Sequence, residues 1–544
     1  MYKNLIYLLK KIKYEVRHLK PKKNTLINSD INFVQKDYLT LKTFVTNYKN
    51  LHIDNPKLFG KNVDLSDTSI FSIDIFNKFK FPDKRLKPAY FNKADVKVPY
   101  ELSRLQFLQK NYHCDLDVDN FPLIFWNSPM DVAIRNINLN FHFIKAQFFT
   151  EDQYKDPIFE RQFYKHIQYI EKHYNFVINN LEDSGNVVGN HYFIELVAIL
   201  MNISMFDFKN RDIDLKKYIK LFEQELSNQF NDEGTNFEGS THYSALMLES
   251  LILAKLSIQS LDLQNNNLLS KLDYLIKENR NFLSLFVIEE ELSQIGDNDS
   301  GRIFYQEYDE SNPLKLNWLL DLVDVLYDKE ENKTYNTNNA KKNFANSDQI
   351  QINLSKFHRV QHPKIKIFSK DFDVFGYLEF GVVVWRNDKE YLSVRCGPLG
   401  QNGIGGHSHY DQLSIECFDG ETWIARDPGT GTYTDNIKLR NKFRSFKYHW
   451  GPNLNINEIK NDEFECFKLS NISDGVLLNF DKNSFLGKVN FLGHDIYRKI
   501  NITQDGFVEI EDFCMEPILS EYNSWGEESF GIKHEFSNGY KRVK

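Results

Sequence analysis

The hydrophobic period of this chain changes once, and that change limits what it can fold into. From about Leu102 to Leu326 apolar residues return at three- and four-residue steps. Leu102, Leu105 and Leu108 begin the pattern, and Phe159, Phe163, Ile167 and Ile170 carry it on. Leu215, Ile219, Phe222 and Leu226 follow, then Ala245, Leu248, Leu251 and Leu256. That spacing lays an apolar stripe along a helix. Short polar loops such as Lys209-Asn210-Arg211-Asp212 and Asn265-Asn266-Asn267 join the helices. After Gln349 the pattern becomes short strands: Val374–Leu378, Gly381–Trp385, Tyr391–Arg395, Leu413–Phe418 and Glu421–Ala425, continuing to Val508–Ile510. Asp419-Gly420 is a hairpin turn. Between the two regimes, Asp328–Asp348 is polar, rich in Asn and Lys, and has no apolar period. It reads as a linker or a long surface loop. Repeated antiparallel helices stack as a bundle or close into a ring of pairs, and strands without intervening helices make an antiparallel sheet or sandwich.

The expected organisation is α+β and multidomain. Residues 1–60 form a basic N-terminal helix and extension, 61–330 a helical domain, 331–348 a linker and 349–544 a β-domain. At about 100–200 residues per domain, 544 residues allow two to four domains. The balance of 67 basic and 75 acidic residues leaves a net charge of -8 and excludes a bulk electrostatic drive toward nucleic acid. A local basic groove for an acidic substrate is compatible with it. The aromatic share of 15% suits stacking on sugar rings, although most of these rings must be core. Cys114, Cys396, Cys417, Cys466 and Cys514 are far apart, odd in number and lack a CxxC, which argues against a disulfide framework or thiolate zinc site.

Near the start, the apolar run Leu5–Leu9 is broken by Lys10 and Lys11 and no small-residue cleavage site follows. The segment does not read as a secretory signal. It reads as a basic amphipathic helix with Leu5, Leu8, Leu9, Ile12 and Val16 on one side. Such a helix rests on an anionic membrane surface, on a partner, or on its own domain. The longest other apolar stretch, Val187–Phe206, contains Asn190, His191 and Glu195, so no transmembrane helix is expected.

Chemistry concentrates in a few segments. Gly397–Asp411 is glycine-rich and ends in His407-Ser408-His409-Tyr410-Asp411. Glycines let a backbone approach a ligand closely. The cluster Arg426–Tyr433 follows, then His449. His409, Asp427 and His449 make a two-histidine, one-carboxylate set whose donors suit zinc. In the helical half, Gly189-Asn190-His191 opens one apolar helix and Glu238–Ser244 opens another. Ile295–Arg302 is a polar turn. Each has a plain structural reading: Asn190 and Ser240 as helix caps, Tyr243 as core, Asp297 and Asp299 as a helix-capping pair.

Taken together, Asn-His at one helix start, His-Tyr at another, GGHSHYD and DPGTGTY closely resemble the heparinase II/III family of polysaccharide lyases, which has alginate lyase-like relatives. The resemblance covers most of the chain, and Trp126–Met130 with Ala133, Ile134 and Arg135 resembles the family's early helical region. It implies an incomplete (α/α) toroid followed by a C-terminal antiparallel β-sheet or sandwich domain. It also implies one structural divalent metal, zinc, held by His409, Asp427 and His449, and an acidic polysaccharide substrate. Without an export signal the sequence reads as cytoplasmic, whereas the resemblance points to the periplasm or cell envelope.

Cleaving a 4-linked uronate by β-elimination requires removal of the C5 proton, stabilisation of charge on the C6 carboxylate, and protonation of the O4 leaving group. The resemblance assigns the carboxylate to Asn190, assisted by His191, and the proton transfers to Tyr243 and His407. For one sugar epimer Tyr243 does both; for the other His407 takes the proton and Tyr243 returns one. An unperturbed Tyr has a pKa of about 10, so a basic role needs positive charge or hydrogen bonds nearby, which His242 and His407 can supply. Arg302 or Arg444 can add charge, and Glu238, His242 and Tyr433 complete the expected substrate site. Two alternatives stand beside this reading: a metal-dependent glycan hydrolase, and a non-catalytic glycan-binding or assembly factor of a surface-polysaccharide pathway.

Overall fold

The computed structural model describes residues 57–64, 68–82, 92–109, 120–148, 157–184, 188–207, 211–261, 263, 266–305, 312–327, 352–452, 465–516 and 536–543. The expected basic N-terminal helix and the 331–348 linker lie outside them. Helices come first: α1 (Lys97–Ser103), α2 (Pro129–Phe148), α3 (Pro157–Asn179), α4 (Asn190–Met205), α5 (Arg211–Gln229), α6 (Thr241–Gln259), α7 (Asn266–Ser284) and α8 (Asn317–Leu326). Antiparallel sheets follow, as the change of period predicts. Among the described residues no helix is long and apolar enough to cross a membrane.

The chain divides into two compact units, and neither is one continuous segment. The first comprises 1–229, 246–274 and 301–310; the second comprises 230–245, 275–300 and 311–544. In the first, α2, α3, α4 and α5 pack against one another. Every residue of α4 except His191 is buried. A helix that is apolar on all sides can only be an interior one, which explains the long apolar run in the sequence. Arg135 on α2 is fully buried and donates to Ser103 O (3.0 Å), Phe125 O (2.8 Å) and His173 Nε2 (2.8 Å). It closes the backbone groups where the first helices meet, and burial pushes its pKa down to about 9.

In the second unit a five-stranded sheet has the order β7-β6-β5-β4-β3: Trp423–Ala425, Ile415–Phe418, Tyr391–Arg395, Val382–Arg386 and Asp373–Tyr377. A second sheet has the order β8-β9-β10-β11-β1: Val476–Phe480, Ser484–Phe491, His494–Ile502, Phe507–Cys514 and His358–Gln361. A short β2 (Ile365–Lys366) also pairs with β11. Alternate residues of both sheets meet in one core: Val383 and Trp385, Leu392 and Val394, Ile496 and Ile500, Val508 and Ile510. That alternation makes the unit a sandwich. Cross-strand partners Arg498 and Asp512 form an ion pair inside it. The loops leaving β5 and β7 carry the Gly397–Asp411 and Arg426–Tyr433 segments, and a short helix α9 (Ile437–Phe443) follows.

Candidate active site

Three loops of the second unit are sewn together around Asp297. The first leads into α6. Ser240 is the helix cap, as its residue type predicts: its Oγ accepts the Tyr243 N–H (3.2 Å). The same hydroxyl donates to Asp297 O (2.6 Å), and the Thr241 N–H reaches Ile295 O (3.1 Å). In the second loop, Asp297 N–H donates to His407 O (2.8 Å). Gly296 permits this approach. Its φ is +68°, and a Cβ there would lie 2.5 Å from His407 O. The third loop joins through Thr430, whose Oγ1 accepts the Asn298 N–H (2.7 Å).

The side chains converge on the Asp297 carboxylate, which is fully buried. Arg440 from α9 grips both oxygens, with Nη2 2.8 Å from Oδ2 and Nη1 on Oδ1. His407 Nδ1 lies 3.2 Å from Oδ2 and His409 Nε2 2.9 Å from Oδ1. Burial raises this carboxyl, but Arg440 and the two histidines hold it far below the usual range. An ionised carboxylate only accepts hydrogen bonds. His407 therefore donates to it through Nδ1–H, and His409 through Nε2–H. Glu238, fully buried and bonded by Gln401 Nε2 (2.5 Å), sets its Oε2 3.6 Å from His407 Nε2.

Tyr243 stacks on His407, with ring centroids 3.9 Å apart and planes inclined by 23°. Its hydroxyl lies 3.3 Å from that of Tyr433. Burial and the carboxylates of Asp299, Asp297 and Glu238 push the Tyr243 phenol well above its ordinary value, against the Tyr433 hydrogen bond. The expectation that histidines would ease its ionisation is thus corrected: carboxylates dominate its surroundings. His242, also buried, faces Asp299, with Nε2 3.4 Å from Oδ1. The phenol is therefore held in its protonated form.

His409, Asp427 and His449 offer three ligand atoms within 4.8 Å of one another. All three residues are buried. Two observations fit a cation. His409 spends Nε2 on Asp297, and its buried Nδ1 has no hydrogen-bond partner. A metal-bound histidine characteristically donates its other nitrogen to a carboxylate in this way. Asp411 and Glu416 are buried beside the set, and burial pushes both carboxyls up, Glu416 to about 8, so a cation there would find further carboxyls to favour in their ionised form. His449 Nδ1 lies 2.9 Å from Asp427 Oδ2.

The remaining sequence-derived residues divide between the two units. In the first unit, Asn190 is the buried first residue of α4; Gly189, not Asn190, occupies the cap position. His191 is half-exposed, with Nδ1 2.6 Å from Glu182 Oε2. Arg302 lies in the same unit, its Nη1 3.8 Å from Glu249 Oε1. Arg444, expected to add charge for the substrate, is fully buried. Its guanidinium donates to Cys466 O (3.1 Å), Lys468 O (3.3 Å) and Glu465 O, so it holds the 465–468 segment instead. Asp297 was read as half of a capping pair and is the centre of the site; its only sequence signal was a polar turn flanked by Gly296 and Gly301. Arg440 gave no signal, being one of several basic residues in a short amphipathic helix.

Residues 370–450, which include His407, His409, Asp427, Arg440 and His449, match the family model described as heparinase II/III-like, C-terminal. No curated protein matches the sequence. Among solved structures, a heparinase III is 14% identical with a TM-score of 0.50, covering 89% of this chain and 78% of that one. A heparinase III gene product with methylated lysines is 16% identical (TM-score 0.48; 87% and 74% covered). A mutant heparan sulfate lyase from Pedobacter heparinus is 14% identical (TM-score 0.48; 88% and 74% covered). The likeness to the first shows the fold, an incomplete (α/α) toroid followed by an antiparallel β-domain. Residues 370–450 thus carry a heparinase II/III-like C-terminal segment.

Proposed function

We propose that the protein is a polysaccharide lyase that cleaves a uronate-containing glycan by β-elimination. The observation that carries the reading is the stacked Tyr243–His407 pair, with Asp297 behind the imidazole. Asp297 fixes the His407 tautomer and leaves Nε2 free to accept the C5 proton. Electrons from the C5–H bond form the C4–C5 double bond as the C4–O4 bond breaks. The Tyr243 phenol gives its proton to O4, and the imidazolium later passes the C5 proton on to restore the phenol. Of the two modes weighed from the sequence, the carboxylates around Tyr243 favour the one in which histidine is the base and tyrosine the acid. Asn190 keeps its proposed role of binding the sugar carboxylate on its sequence motif alone.

A divalent ion, zinc by donor type, would be held by His409, Asp427 and His449 and would supply a fixed cross-link. A hydrolytic metal needs an open coordination position. The burial of all three ligands supports a structural ion over that alternative. The test is absorbance at about 230 nm, from the new double bond conjugated to the carboxylate, with the protein on a panel of acidic glycans. Tyr243→Phe should be silent. Cleavage of a glycan without any rise in absorbance contradicts elimination.

A further inference from the structure

Phe467 is 43% exposed, although it adjoins the partly buried His407 and the buried Tyr433. Its ring lies edge-on to two site residues, with centroids 6.3 Å from His407 and 5.1 Å from Tyr433. The backbone around it is held on both sides. Arg444 binds the carbonyls of Glu465, Cys466 and Lys468, and Arg440 reaches Cys466 O (3.4 Å) while holding Asp297. Beyond it, Leu469 N–H bonds Ile404 O (3.0 Å), and the Leu469 side chain packs with Leu399 and Tyr410. Phe467 O lies 3.3 Å from where a Gly406 Cβ would be, so the segment presses on the residue before His407. Two fully buried arginines and a buried leucine thus fix residues whose middle member shows its ring to solvent.

We propose that Phe467 is a stacking platform for a pyranose ring of the glycan, next to the sugar whose bond is cut. The proposal rests on the lyase reading for its choice of ligand. A phenyl ring offers an apolar face and no hydrogen bond, so it matches the C–H face of a sugar and is indifferent to that sugar's charged substituents. Its contribution should therefore survive added salt, unlike that of any cationic subsite.

The test is isothermal titration of the full chain in the Tyr243→Phe background, with oligosaccharides prepared from heparan sulfate, hyaluronan and alginate. Phe467→Ala should raise Kd about tenfold at both low and high salt, and Phe467→Trp should restore it. Equal Kd values for all three proteins overturn the platform, as does an Ala variant that loses kcat with an unchanged KM when Tyr243 is present. Failure of every oligosaccharide to bind overturns the platform and the lyase reading together. Binding that depends on Phe467 in a protein that never produces the absorbance signal upholds the platform and refutes only the lyase.

Discussion

Asp512 and Asp297 are both buried in the second unit, both gripped by two nitrogens of an arginine, and both bonded to a histidine ring. Asp512 receives Arg498 Nε (2.7 Å) and Nη2 (2.8 Å), and its Oδ2 lies 2.7 Å from His362 Nε2. The rest of Arg498 is spent on Leu413 O and Trp450 O, amid Ile496, Ile500 and Ile510 of the sandwich. Asp297 has the same inner chemistry, but one of its histidines stacks on a phenol and the other belongs to the metal set. The two ion pairs thus differ in what surrounds them: sandwich core at Asp512, a stacked phenol and a candidate metal set at Asp297. Removing either aspartate leaves an arginine buried without its counter-charge.

Asp297→Asn should break both stability and chemistry. We expect a loss of about 3–5 kcal/mol in unfolding experiments, from stranding Arg440. The folded fraction should lose about a hundred- to ten-thousand-fold in kcat, because His407 loses its orienting acceptor. Asp512→Asn should cost comparable stability, about 3–5 kcal/mol, yet leave kcat per folded molecule within about twofold. If the two variants lose kcat equally, the distinction drawn here fails.

A chelator probes the third arm of the Asp297 cluster. If the His409 set holds an ion at a hundredfold excess over its Kd, stripping it removes about 3 kcal/mol, seen as a lower Tm that zinc restores. An unchanged Tm, with no metal by elemental analysis, removes the ion from the account. The smallest effect concerns pH. Burial raises the Asp512 carboxyl, but Arg498 and His362 bring it from 3.8 down to about 2. A carboxyl depressed on folding stabilises the protein above its unfolded value, and that stability is lost as pH falls through 3.8 toward 2. The loss is ~2 kcal/mol across that window and should vanish from the pH profile of Asp512→Asn.

The two clusters also explain what could be read beforehand. Strand alternation places Ile496, Arg498 and Ile500 on one face, and the same rule marks Val508, Ile510 and Asp512, so the core was visible in the residue pattern. His407, His409 and Asp427 stood out among glycines, whereas the pairing of Tyr243 with His407 rested on the family resemblance. Asp297 and Arg440 were not legible. Their roles arise from contacts between residues more than a hundred positions apart, and neither a polar turn nor a short basic helix announces its partner. Arg444 misled for the same reason: an arginine near the site is as able to hold carbonyl oxygens as a substrate.

The proposed elimination consumes no water. The most direct measurement is mass spectrometry of a glycan digest run in heavy-oxygen water. Elimination predicts fragments that carry no heavy oxygen and end in an unsaturated uronate. One heavy oxygen per cut bond would contradict it and return the site to a hydrolase.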